Sequence, residues 1–107
     1  MPIVLVHKYI VNSKMNKNYK ELCKLLLSIE NEKEADLLLR DLFTPQELEE
    51  FSERWQIVQE LDKGTPQREI ARKLNVSIST ITRGSTTLKY GSKGFSYFLT
   101  KFKNSSK

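Results

Sequence analysis

The segment 65–89, TPQREIARKLNVSISTITRGSTTLK, constrains this chain more than any other stretch. It reads as two short helices joined by a tight turn. Gln67-x-x-x-Ala71 leads into Asn75-Val76-Ser77 and then Ile81. Ile70, Leu74, Val76 and Ile81 are the apolar points where the pair closes on itself and on its neighbours. Ala71 is small, so the second helix can pass over it at close range. Basic and small polar residues are left facing outward. This is the spacing of a helix-turn-helix, which places one end of its second helix in the major groove of DNA. The expected partner is double-stranded DNA.

Charge points the same way once it is divided by position. The net charge is +5, but residues 1–20 carry four lysines and no acid, residues 21–62 carry four basic and twelve acidic side chains, and residues 63–107 carry ten basic residues against Glu69 alone. A basic part beside an acidic part is the electrostatic footprint of a module with one DNA-facing side. With 107 residues, the chain is expected to form one domain. One cysteine, Cys23, excludes an internal disulfide, and with His7 as the only histidine no zinc set can be assembled, so no metal site is expected. No apolar run is long enough for a membrane helix. PIVLVHKYIV at 2–11 lacks a basic start and a cleavage site, so it is not read as a signal peptide, and the cytoplasm is the expected location.

The domain layout that follows is an N-terminal arm, 1–17, without a settled conformation, and a single helical domain over 18–107. From Asn18, a candidate N-cap, apolar residues recur at Leu22, Leu25, Leu26 and Ile29. Asn31 caps a second helix whose face is Ala35, Leu38, Leu39 and Leu42. The runs Leu25-Leu26-Leu27 and Leu37-Leu38-Leu39 are apolar on more than one side, so either a second subunit covers them or they lie between other helices; the second subunit is the expectation. Thr44-Pro45-Gln46-Glu47 is a capping box with proline at the first helical position, and Phe43 with Leu48 makes a hydrophobic staple. That helix runs with Leu48, Phe51, Trp55, Val58 and Leu61 on one face and ends at Gly64. Thr65 is expected to cap the next helix, and Ser77 the one after. A last helix carries Phe95, Phe98, Leu99 and Phe102 before a frayed tail at 104–107.

In such a motif the first turn of the second helix reaches base edges, here Ile78, Ser79, Thr80 and Thr82. Hydroxyls donate or accept to several bases, and Ile78 suits a thymine methyl; these are weakly specifying groups that do not define a target sequence. Gln67, Arg68 and Arg72 flank the groove on the first helix and Lys89 lies at the far end of the second. The basic ones are assigned to phosphates, which supply affinity and salt dependence.

A second constellation joins Arg54 to Arg83-Gly84-Ser85. A glycine inside a helix costs about 1 kcal/mol against alanine and marks close approach by something else. Two arginines on helices that meet can flank a flat ring, since guanidinium planes stack on π faces and fork onto carboxylates. LFTPQELEEFSERWQIVQELDKG and QREIARKLNVSISTITRGSTTLK together resemble the tryptophan repressor family over about residues 36–90. The diagnostic pieces are Leu42-Phe43-Thr44-Pro45-x-Glu47, Arg54, Ile57-Val58-x-Glu60-Leu61, Gln67-Arg68-Glu69 and Thr80-Ile81-Thr82-Arg83-Gly84-Ser85.

The resemblance implies an all-α fold of about six helices in an intertwined homodimer, with L-tryptophan as corepressor ligand and no other cofactor. It implies that Arg54 and Arg83 sandwich the indole, that Arg83 and the partner's Thr44 hold the carboxylate, and that Gly84 leaves room for the ring. The ammonium would go to backbone carbonyls near Asp41 and Phe43 of the partner and to the Thr87 hydroxyl, with Val58 and Thr80 lining the pocket. The chain departs from the family pattern at Thr87, where serine is expected, at Asp41, where an apolar residue is expected, at Phe43, where a smaller apolar residue is expected, and at Ala71, where a lysine is expected; the turn before Gln67 is one residue shorter. The function implied is a tryptophan-dependent repressor of tryptophan biosynthesis genes. Alternatives are a regulator on the same scaffold with another ligand or none, and a transposase- or recombinase-type DNA-binding fragment, which would need neither Arg54 nor Gly84. An enzyme is not expected: no Ser–His–Asp, Cys–His or paired-carboxylate set is present, Asp36 and Asp41 read as surface acids, and Cys23 as a core residue.

Overall fold

This computed structural model describes residues 13–105, with side chains from residue 16 onward. Its described residues form six helices and no strand: α1 (Ser13–Leu27), α2 (Glu32–Leu42), α3 (Pro45–Asp62), α4 (Gln67–Leu74), α5 (Ile78–Tyr90) and α6 (Gly94–Ser105). The all-α expectation therefore holds. By compactness the chain divides into two units, one ending at Leu48 and one starting at Glu49.

In the first unit, α1 begins at Ser13, so Asn18 is an interior residue and not the expected cap, and Ser13–Lys17 belong to a helix rather than to an arm. The reason is local: Lys14, Met15 and Lys17 are good helix formers and nothing in the segment breaks the backbone pattern. The rest of the expected arm, 1–12, lies outside the described residues. Asn31 caps α2 as expected, its Oδ1 accepting the Glu34 N–H at 2.9 Å. Glu34 reaches back to accept the Glu30 N–H at 3.0 Å. No residue of α2 is buried, and Leu25, Leu26, Leu27 and Leu37 expose 43, 41, 84 and 60% of their surface. Among the described residues of this unit, none of these leucines is buried.

The start of α3 is the reciprocal cap read from the sequence. Thr44 Oγ1 accepts the Glu47 N–H at 3.1 Å, and Glu47 Oε1 accepts the Thr44 N–H at 2.9 Å. Gly64 stops the chain after α3 at φ 88°, a conformation open mainly to glycine.

The second unit is built on the fully buried Ile57, Ile70 and Ile81, with Leu61, Ala71, Leu74 and Val76 packed around them. These apolar points are the ones the helix-turn-helix reading placed at the closure of α4 and α5, with Ile57 and Leu61 added from α3. The turn between α4 and α5 is made by Asn75 in the left-handed region at φ 55°, whose N–H donates to the Ala71 carbonyl. Ser77 then caps α5, accepting the Thr80 N–H at 3.2 Å. Thr65 does not cap α4; its hydroxyl donates to Glu60 Oε1 at 2.9 Å, and α4 starts from Pro66 with no side-chain cap.

Glu60 organises that corner. It is 7% exposed and receives Thr65, Lys73 Nζ at 3.0 Å and Lys63 Nζ at 3.4 Å. A buried carboxylate is tolerable only when paired in this way. The Lys73 and Thr65 hydrogen bonds hold its carboxyl below the usual glutamate range, outweighing burial, which acts in the opposite direction. On another side of α3, the Trp55 ring meets Phe102 edge-on at 5.7 Å and Phe95 at 6.3 Å. Leu99 of α6 is buried, and Lys103 pairs with Asp62. The single apolar face expected for α3 is therefore too simple, because the helix is sandwiched: Ile57 and Leu61 serve the α4–α5 pair while Trp55 serves α6.

Candidate functional site

Glu50, Glu53, Arg54 and Ile57 stand three, three-plus-one and seven positions along α3, the spacing that brings side chains onto one helix face. Thr80 and Arg83 do the same on α5. These six residues line one cleft of about 200 Å³. Arg54 and Arg83 therefore border a common space, the arrangement needed if two guanidinium planes are to hold a flat group between them. Ile57 lies behind its lining, with none of its own surface accessible. Arg54 already lies over the Phe51 ring, 5.8 Å from its centre. A planar guanidinium has two faces, so stacking on Phe51 leaves the other for a ring entering the cleft.

The remaining residues expected around a ligand fall in different places. Thr80 is shared between the cleft and the α5 cap, its Oγ1 lying 2.8 Å from Ser77 Oγ. Val58 is fully buried, and within this chain Ile57 rather than Val58 borders the cleft. Gly84 is buried against α3: a Cβ there would stand 3.1 Å from Ile57 Cγ2. The glycine thus has a packing reason of its own, the close approach of α5 to α3, apart from the room it was expected to leave for a ring. Thr87 lines a separate apolar cleft with Trp55, Phe95 and Phe98, and its hydroxyl donates to the Arg83 carbonyl at 3.1 Å.

In the first unit, Asp41 is exposed on the last turn of α2, and Phe43 is the half-buried C-cap of that helix, its N–H donating to the Leu39 carbonyl. The Thr44 hydroxyl oxygen accepts in the cap of α3. Accepting there leaves the hydroxyl's own proton to donate, so capping and holding a carboxylate are compatible tasks.

The residues expected to meet nucleic acid lie as follows. Ile78 exposes half its surface at the first turn of α5. Ser79 and Thr80 are engaged with the cap, their hydroxyls 3.0 and 2.8 Å from Ser77 Oγ. Thr82 donates to the Ile78 carbonyl at 3.0 Å and lies 3.5 Å from Gln67 Oε1, so the polar side chains of α4 and α5 meet across the motif. Arg68, Arg72 and Lys89 are exposed, as phosphate contacts require. Lys73, by contrast, is turned to Glu60. The sequence reading passed over Glu50, Glu53 and Ile57 as cleft residues; their helical spacing with Arg54 was the available signal.

Three comparisons agree on where this architecture belongs. A family model described as Trp repressor protein matches residues 17–103. A Trp operon repressor homolog from Mannheimia succiniciproducens is 47% identical over 81 residues, covering 75% of this chain and 79% of that one. Another from Vibrio campbellii is 40% identical over 74 residues, covering 68% of this chain and 74% of the relative. Among solved structures, a TrpR like protein from Eubacterium eligens superposes with a TM-score of 0.79 at 26% identity, over 85% of this chain and 95% of that one. The helix-turn-helix at α4–α5, the glycine that seats α5 on α3, and the match along 17–103 lead to one conclusion: the chain belongs to the Trp repressor family of transcriptional regulators.

Proposed function

We propose that this chain is an L-tryptophan-dependent repressor that binds operator DNA as a homodimer and controls genes of tryptophan biosynthesis. The observation that carries the reading is that Arg83, on the DNA-reading helix α5, shares a cleft with Arg54 of α3. A flat amino acid held between those guanidinium groups fixes α5 against α3. In a dimer, that sets whether two recognition helices fit successive major grooves ~34 Å apart. Arg54 and Arg83 stack on the indole and Arg83 also takes the carboxylate, helped by the partner's Thr44. Backbone carbonyls near Asp41 and Phe43 of the partner, with Thr87, take the ammonium. Gln67, Arg68, Arg72, Ile78, Ser79, Thr80, Thr82 and Lys89 meet the DNA. The homodimer is supported by the leucines of the first unit, which expose up to 84% of their surface and need a second copy to leave water.

Because L-tryptophan and operator favour the same conformer, each must tighten the other's binding by the same factor. The test starts from sequences selected by the protein out of a random duplex library in the presence of L-tryptophan. Their affinity is then measured at fixed salt with and without the amino acid. The expected result is at least a ~10-fold gain with L-tryptophan; equal affinities refute the reading.

A further inference from the structure

One carboxylate holds α4 at both ends. Glu60 Oε1 accepts the hydroxyl of Thr65, just ahead of α4, at 2.9 Å, while Oε2 accepts Lys73 Nζ, from the last turn of α4, at 3.0 Å. A helical lysine leans towards the N-terminus of its helix, so its long stem can reach a group near the helix start. The rest of α4 is lightly held. It has eight residues, Ile70 is its buried side chain, and it starts from Pro66 with no side-chain cap. Gly64 joins it to α3 at φ 88°, in a place where an added Cβ would meet nothing within 4 Å. Apolar packing at Ile70, Ala71 and Leu74 is non-directional, whereas hydrogen bonds fix an orientation.

Gln67, Arg68 and Arg72, which the proposed function sets against DNA, all lie on this helix. We infer that Glu60 and Lys73 are positioning residues for DNA binding: their pair holds α4 in the pose that presents those three side chains, while neither residue touches the duplex. The inference rests on the proposed DNA binding and not on the identity of the amino-acid ligand. Without the pair, α4 spends part of its time in other poses, and the apparent affinity falls with the fraction that stays competent. The Lys73 side chain is 55% exposed and that of Glu60 9%. Solvent on the lysine discounts the pair, so the expected loss is ~10-fold, the low end for a hydrogen bond to a charged group.

The test uses duplexes selected by the wild-type chain from a random library in the presence of L-tryptophan, at a temperature where circular dichroism shows every variant folded. Lys73→Met is expected to weaken selected duplexes by ~10-fold and random duplexes less, with the slope of log affinity against log salt unchanged, because no phosphate contact is lost. Lys73→Arg keeps a charged donor and recovers the affinity. In a Glu60→Gln background, Lys73→Met adds no further loss, as a shared interaction requires. A slope smaller by ~0.9 in Lys73→Met makes the lysine a phosphate contact and overturns the inference. Unchanged affinity in Lys73→Met, no recovery in Lys73→Arg, or losses that add in the double variant overturn it too, and leave the DNA reading standing. A wild-type chain that selects no duplex overturns both.

Discussion

Replacing Gly84 by alanine sets two known effects against each other at one atom. In an isolated helix the change stabilises by about 1 kcal/mol, since glycine is the poorer helix former. Here the new methyl would lie 3.1 Å from Ile57 Cγ2, a few tenths of an ångström closer than carbon atoms in ordinary contact. Ile57 is fully buried, and its β-branched side chain is stiff at χ1, so it cannot swing aside; α5 must move away from α3. Overpacking of this kind costs ~1–3 kcal/mol. The difference is a net loss of about 1 kcal/mol, or a fall in Tm of ~4–8 °C for a chain of this size. Urea unfolding at one fixed protein concentration measures it, because any association makes stability depend on concentration. Ile57→Leu removes the obstructing branch, so Gly84→Ala in that background should recover the propensity gain and turn stabilising. The double-mutant cycle isolates the contact. If Gly84→Ala stabilises the protein with Ile57 in place, the contact does not limit the approach of the two helices and the argument fails.

Glu60 should leave a mark on acid stability. Its carboxyl is held below the ordinary glutamate range, so its contribution is complete above that range and disappears as pH falls through the lower folded-state value; Glu60→Gln should therefore differ most from wild type near neutral pH and converge with it in acid, and a constant difference across pH would contradict the assignment. Arg72→Ala should lower the slope of log affinity against log salt by ~0.9 while affecting selected and random duplexes alike, as one lost phosphate contact requires; an unchanged slope would remove Arg72 from the DNA face. Leu37 exposes 60% of its surface on α2, and Leu37→Asp should shift sedimentation equilibrium from dimer to monomer; a variant that remains dimeric would show that this leucine is not covered by a second copy.

Local chemistry was legible in the linear sequence, because caps and turns are made by residues close in the chain. The reciprocal pair at Thr44 and Glu47, the Asn31 and Ser77 caps and the stop at Gly64 all formed where their residue types called for them. So did the closure of α4 on α5 through Ile70 and Ile81, since a helical hairpin with a short turn has few ways to bury its apolar points. Thr65 shows where such reading stops. Its hydroxyl had a local task available, capping α4, and took Glu60 instead, because a carboxylate 7% exposed demands donors more strongly than a helix end open to water.

What the tertiary structure alone decided is which sides of α3 are used and for what. Periodicity marks a helix as apolar but does not say how many neighbours divide it, so the expected apolar face of α3 leaves out Ile57, which is fully buried against the α4–α5 pair. The pairing of Arg54 with Arg83 was suggested by residue type. That they border one space, and that Glu50 and Glu53 border it with them, follows only from how α5 comes to lie against α3. That approach is set by the missing side chain at Gly84 against Ile57, a contact between residues far apart in the chain.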